Sequence, residues 1–381
     1  VNLDINTAYS DFGTSTYNGH LIFASSRDQD ENIYKWNNQP FLNIYSADEE
    51  IKTLEENEKD TVLTLVNRRL IDVPITSEFH ESTPVFTKDG RTIYFTRNNA
   101  NGKKARKDKK NTSNLKIYTA SFVNGYWVNV KELPFNNDAY SVGHPALSTD
   151  EKTLYFVSNM PGGFGGTDIY KATVLGNNEF GTPVNLGEKI NTSDKEMFPF
   201  VGEDNTLYFS SNGHLGLGLL DIFQSKIVQD SIYSKAENLG APFNSKRDDF
   251  SFYISEKGKK GFFSSNRKEG KGDDDIYSFT KNPCEQLVSG IVTDATTKAI
   301  ISNATVLVYN AAQQTIATLV SDAQGAFSFK LKCKEQTYKV VGSKLDFDPT
   351  EISFAVDNVF NEPVQLEIAL TPIPKAAEVG A

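Results

Sequence analysis

Six cations crowd one stretch of this 381-residue chain: Lys103, Lys104, Arg106, Lys107, Lys109 and Lys110. With 39 Lys+Arg against 49 Asp+Glu, the net charge is −10, so the cluster is a local exception on an acidic protein. It suits an acidic protein face or lipid headgroup phosphates, while a solvated loop is the alternative. Arg27, at the head of a second long loop, is a further candidate for partner binding. The run Asp273-Asp274-Asp275 beside Gly270 and Gly272 could offer oxygen ligands to Ca²⁺, but it lacks the ordered alternation of a calcium loop. Asp275 has counterparts in Asp168 and Asp221, which favours a repeated structural hydrogen bond.

Other chemistry finds little support. His20, His80, His144 and His214 are scattered, with no pair at metal-ligand spacing. His80 and His144 precede strand starts and are expected to satisfy backbone groups. Nucleophilic hydrolysis would need a Gly-x-Ser-x-Gly elbow with its His and acid partners, and no such elbow occurs. No catalytic residue and no cofactor is therefore expected. Cys284 and Cys333 are the two cysteines; they pair if the compartment is oxidising, or stay as buried thiols.

The elements that carry these residues read as strands. Aromatic content is 12%, with Phe 26 and Tyr 16 against two Met, which favours pleated surfaces. A strand signature recurs five times, at Leu21-Ile22-Phe23, Ile93-Tyr94-Phe95, Leu154-Tyr155-Phe156, Leu207-Tyr208-Phe209 and Gly261-Phe262-Phe263. The last two spacings, 53 residues from Tyr155 to Tyr208 and 54 from Tyr208 to Phe262, come close to the period of a four-stranded propeller blade; the earlier ones carry insertions. Each copy leads to a second signature: Asn43-Ile44-Tyr45, Lys116-Ile117-Tyr118, Asp168-Ile169-Tyr170, Asp221-Ile222-Phe223 and Asp275-Ile276-Tyr277. Glycines such as Gly162, Gly163, Gly165, Gly166, Gly213, Gly216 and Gly218 sit between the two, as turn residues rather than a phosphate cradle, since no helix follows.

The fifth repeat ends at Thr280 without an outer strand, and the chain opens with Leu3 to Ser10, which aligns with Leu133 to Ser141. Residues Val1 to Ile5 are thus expected to complete that blade and seal the ring, removing an open edge. The chain divides accordingly into a five-bladed β-propeller over 1–282, a seven-stranded β-sandwich over 283–372 and a tail over 373–381, an all-β protein. The sandwich strands are marked by Val288/Val292, Val306/Val308, Ile316/Val320, Phe327/Leu331, Tyr338/Val340, Ile352/Val356 and Leu366/Leu370. No window is long and apolar enough for a transmembrane helix, and no signal peptide opens the chain, so it reads as a mature or trimmed fragment. The acidic balance argues against nucleic acid.

Thr87-Lys88-Asp89-Gly90 leading to Ile93-Tyr94-Phe95, and Ser158-Asn159-Met160-Pro161-Gly162-Gly163 leading to Asp168-Ile169-Tyr170, resemble the PD40 repeats of TolB-like propellers. Gly290-Ile291-Val292-Thr293-Asp294 and Asp322 to Phe327 resemble a carboxypeptidase regulatory-like sandwich. The two in this order are similar to OmpA-family envelope proteins of Bacteroidetes that serve type IX secretion and gliding motility. That resemblance implies a non-enzymatic periplasmic scaffold at the outer membrane. Its expected partners are proteins of the envelope, an outer-membrane barrel or lipoprotein among them, with peptidoglycan reached indirectly through an OmpA-like domain absent from this chain. A propeller that binds glycan or peptidoglycan in its channel is the alternative, and a sugar or peptide hydrolase or lyase is a third reading.

Overall fold

The computed structural model describes residues 1–27, 33–34, 37–53, 61–71, 77–101, 104–229, 232–255, 259–281, 285–332, 336–356 and 363–374. The described residues contain strands and turns and no α-helix. The chain separates into two compact units, Val1–Lys281 and Asn282–Ala381, which moves the expected boundary by one residue.

Among the described residues, the first unit holds five antiparallel sheets of three to five strands in sequence order, with two two-stranded ribbons beside them. Their innermost strands are Asp11–Tyr17, Glu81–Phe86, Val142–Leu147, Glu196–Val201 and Asp249–Ile254. Each contacts the next, and the last contacts the first, so the sheets form a closed, propeller-like ring. The second strands, His20–Ser25, Thr92–Asn98, Thr153–Ser158, Thr206–Ser211 and Lys260–Ser265, carry the aromatic signatures. Their adjacent residues face opposite ways on the pleat, and both are apolar because both sides of each sheet are covered. Ile22 packs with Ile93 and Phe95, whereas Phe23 packs with Phe262 and Ile276. Likewise Tyr94 meets Leu154 and Phe156, Tyr155 meets Leu207 and Phe209, and Tyr208 meets Phe252 and Phe263. Five cores between neighbouring sheets thus close a circuit.

The beginning of the chain finishes the fifth sheet. Asn2 bridges Tyr277 antiparallel, and the Leu3 N–H donates to the Ile276 carbonyl over 3.0 Å. Side chains support the outer edges of several sheets. Asn191 and Asn244 clamp both backbone groups of Ile169 and Ile222, at 2.7–3.0 Å. Asn6 does the same to Ile276, at 2.8 and 2.9 Å, although it lies 270 residues away in sequence.

The second unit stacks two four-stranded sheets. One contains Ala326–Lys332, Glu285–Asp294, Val364–Pro372 and the short Phe347–Asp348; the other contains Thr315–Val320, Thr305–Tyr309, Gln336–Ser343 and Thr350–Val356. Val292, Phe327 and Ile368 from the first meet Val306, Val308 and Val340 from the second in one core. All seven expected stretches lie in these strands; the two-residue Phe347–Asp348 was not foreseen, being too short for an alternation to register.

Candidate functional site

A cavity of about 570 Å³ lies where the five inner strands meet, lined by residues from all five sheets. Its wall is built by one device used five times. Each inner strand breaks register with its neighbour over two residues, between Phe12 and Ser15, Ser82 and Val85, Gly143 and Ala146, Met197 and Phe200, and Phe250 and Tyr253. The first residue of each bulge takes a left-handed conformation: Gly13, Thr83, His144, Phe198 and Ser251, with φ between 46° and 74°. Such φ values are uncommon for non-glycine residues, and rarest for a β-branched one such as Thr83. Here they turn the backbone around the axis, and all five residues line the cavity. Bulges of this kind re-aim side chains beside binding sites.

Around them the wall is mixed. Tyr17, Phe86, Phe200, Phe252 and Tyr253 supply rings, and Tyr17 stacks on Phe86 with centroids 4.4 Å apart. Hydroxyls come from Ser15, Thr16, Thr87 and Ser255, and charges from Glu49 and Lys88. Thr16 and Tyr253 share a hydrogen bond of 2.7 Å across the join between the first and fifth sheets. Towards the opposite side, Phe12, Phe198 and Phe250 pack together, with centroids 4.9–6.2 Å apart, and His144 stacks on Phe198 at 4.0 Å. The buried His144 ring is held neutral, its pKa pushed down to about 4 by desolvation, and its Nδ1 accepts from the Phe198 N–H.

Among the described residues, the buried carboxylates at the strand starts are engaged by the fold. Asp11, Glu81, Glu196 and Asp249 open four of the inner strands. Thr7 and Thr192 donate to Asp11 and Glu196 through both backbone and hydroxyl; Ser77 and Ser245 serve Glu81 and Asp249. In three sheets an arginine completes the arrangement: Arg27 on Asp11, Arg97 on Glu81 at 2.8 Å and Arg267 on Asp249 at 2.9 Å. Each guanidinium also lies over two rings, Phe23 and Tyr45, Phe95 and Tyr118, or Phe263 and Tyr277. Burial raises Glu81 to about 7 even against the pull of Arg97, and raises Glu196 as well.

These contacts correct one expectation. Arg27 is no partner-binding residue, because its side chain is 6% exposed and spent on Asp11, Ser25 and the Ile5 carbonyl. The aspartate run resolves into three separate duties. Asp275 accepts from the backbone of Lys271 and Gly272 and from Asn2 Nδ2, just as Asp168 accepts from Phe164, Gly165 and Asn185, and Asp221 from Leu217, Gly218 and Asn238. Asp273 takes a bond from Gln39, and the largely buried Asp274 has its carboxyl raised to about 6 by desolvation. Among the described residues no three His, Cys, Asp or Glu side chains gather as metal ligands. His80 Nδ1 accepts from the Leu42 N–H, and His214 Nε2 lies 2.8 Å from the Ile190 carbonyl.

Lys104, Arg106, Lys107, Lys109 and Lys110 are exposed on a folded excursion, where Asp108 accepts from the backbone of Lys110 and Thr112. They stand on the face away from the cavity mouth. Lys103, Cys284 and Cys333 lie outside the described residues. The sequence reading missed the five left-handed positions, although Thr83-Pro84, His144-Pro145 and Phe198-Pro199 carry a signal: proline inside a strand-like run marks an edge or a bulge.

Fold and site together define a propeller-like ring of sheets with an axial cavity, followed in the chain by a small sandwich. Residues 287–371 match the carboxypeptidase regulatory-like domain. No curated protein sequence matches the chain. Among solved structures, the chain is similar to the α-L-arabinofuranosidase of Lactobacillus brevis, at 15% identity and TM-score 0.42, over 73% of this chain and 91% of that one. It is also similar to TolB of Acinetobacter baumannii, at 14% and 0.35 over 77% and 60%. A third likeness is a puromycin-hydrolysing peptidase of Mycobacterium tuberculosis, at 11% and 0.39 over 81% and 43%.

Proposed function

We propose that this chain is a non-enzymatic binding protein, whose five sheets are the blades of a five-bladed propeller and whose axial cavity takes a short segment of a protein partner. The observation that carries the reading is the fivefold bulge, which spends unusual backbone geometry on lining one cavity. A volume of about 570 Å³ suits a few residues of an extended chain. Proline and aromatic surface would grip its apolar atoms, and Thr16, Thr87 and Ser255 would meet its amides. Support for binding rather than turnover comes from the buried carboxylates Asp11, Glu81, Glu196 and Asp249, which are committed to strand starts, and from the neutral His144, whose Nδ1 is taken by the Phe198 N–H.

The finer reading is a periplasmic scaffold at the outer membrane, serving a secretion or gliding complex of the type IX kind. It is supported by the order of the two units and by the resemblance of their repeats. A glycan ligand is the second reading, favoured by the rings of Tyr17, Phe86 and Tyr253 beside hydroxyls, a combination that suits sugar faces.

A photo-crosslinking residue placed at Lys88, on the cavity wall, and another at Leu175, exposed on the strand Asp168–Gly176 away from the cavity lining, test both in native envelopes. Peptide adducts from position 88 and none from 175 are expected. Saccharide adducts at 88 would favour the glycan, and adducts that do not distinguish the two positions would sink the cavity as the site.

A further inference from the structure

Strand alternation sends the loops between second and third strands to the face opposite the cavity mouth. On three consecutive sheets these loops present an unusual surface. The second sheet offers Lys104, Arg106, Lys107, Lys109 and Lys110, all exposed. The third offers Phe164, 52% exposed, from a loop packed beside Lys195. The fourth offers Leu215, Leu217 and Leu219, which are 95%, 55% and 63% exposed.

The leucine loop is built to stay where it is. A Cβ on Gly218 would stand 2.4 Å from the Arg247 carbonyl, so this backbone is seated against the Ser245–Arg247 connection. Asp221 accepts from the Leu217 and Gly218 N–H groups, and Asp248 accepts from Leu220 over 3.0 Å. Three leucines are therefore held outward on a convex tip rather than tucked under it. Exposed apolar surface of this kind marks an interaction site. Lys246 and Arg247 stand exposed next to it.

We propose that this face docks on an anionic lipid surface. The leucine loop and Phe164 enter the boundary between headgroups and acyl chains, while the lysines of the second sheet, with Lys195, Lys246 and Arg247, meet the phosphates. A convex apolar tip fits a fluid interior that moulds around it, where a protein partner would have to offer a matching cleft. Charge complementarity favours the anionic surface and sets the orientation: a chain of net charge −10 is repelled by such a membrane on average, so a face that gathers exposed cations is the one turned towards it.

The full chain is sedimented with phosphatidylcholine vesicles, with and without phosphatidylglycerol, at low and high salt. Binding is expected with the anionic vesicles at low salt and should fall as salt screens the cations. Leu215→Ser/Leu217→Ser/Leu219→Ser should weaken it about tenfold or more, since each leucine loses buried apolar carbon. Lys107→Glu/Lys109→Glu/Lys110→Glu should abolish the preference for phosphatidylglycerol. Unchanged melting temperatures would show both variants folded. The proposal is overturned by absent binding to anionic vesicles at low salt, or by equal binding of the leucine variant. Retention on native membranes that disappears after protease stripping, with lipid-only vesicles left unbound, overturns it in favour of a protein surface.

Discussion

His144 shows how much one residue can be asked to do in this ring. It takes a left-handed turn at φ 50°, lines the axial cavity and stacks on Phe198. Burial depresses its pKa from 6.5 to about 4, so between those values the unfolded chain binds a proton that the folded chain refuses. Stability must then fall as pH drops from 6.5 to 4, by about 3 kcal/mol for this group. His80, depressed to about 4 as well, adds a similar loss. His144→Asn tolerates the left-handed turn and removes the titration. Glu81 and Asp274, raised to about 7 and about 6, gain stability over the same range, so the test is the difference between the two proteins. Denaturant melts at pH 4.5 and 7 should show the variant losing about 2 kcal/mol less on acidification than the parent, and an equal loss would refute the assignment. At this scale the sequence was only partly legible. The expectation that His80 and His144 satisfy backbone groups matches their bonds, yet Arg27 was read as a surface cation. An arginine four residues beyond an aromatic carries no mark of which way it turns. Its inward direction depends on Asp11, brought across by a bulge that no periodicity reports.

At the scale of elements, the side-chain clamps hold the outer edges. Asn6 occupies for the fifth sheet the place that Asn191 and Asn244 hold for the third and fourth. Asn6→Ala strips the Ile276 N–H of its acceptor and leaves the carbonyl only the Leu3 N–H, and should cost about 1–3 kcal/mol. Amide exchange should accelerate along Asp275–Thr280 in the variant while Asp168–Gly176 stays protected; uniform acceleration would mean that the clamp is not local. Strands were the most legible elements, because apolar residues on successive positions require cover on both faces, and a ring supplies it. The axial bulges were the least legible. Pro84, Pro145 and Pro199 announce an irregularity, but Gly13 and Ser251 reach the same conformation with no proline after them.

For the whole molecule, each unit owns its core: five inter-sheet clusters in Val1–Lys281, and the Val292–Phe327–Val306 core with its neighbours in the second. Calorimetry should resolve two transitions, with substitutions in one core, such as Val306→Ala, shifting only its own peak. Such a truncation costs on the order of 2 kcal/mol at a buried valine. A single transition that moves as one would refute the independence of the units. The division was legible because Pro283 interrupts two different alternation patterns. Function was less so, since the cavity is assembled from residues 13 to 255, whose common purpose appears only when five strands meet.

The contribution of Leu3 and Asn6 to the fifth sheet also sets an order of assembly. Their partners lie roughly 270 residues downstream, and closing so long a segment costs about 5 kcal/mol in chain entropy before any contact compensates it. Contacts of such sequence separation are slow to form. The segment holding Leu3 and Asn6 must wait, unpaired, until the fifth sheet has been made. The ring is therefore sealed last, by a strand that precedes all five sheets in the chain, and a chain that stops short of the fifth sheet cannot make this closure.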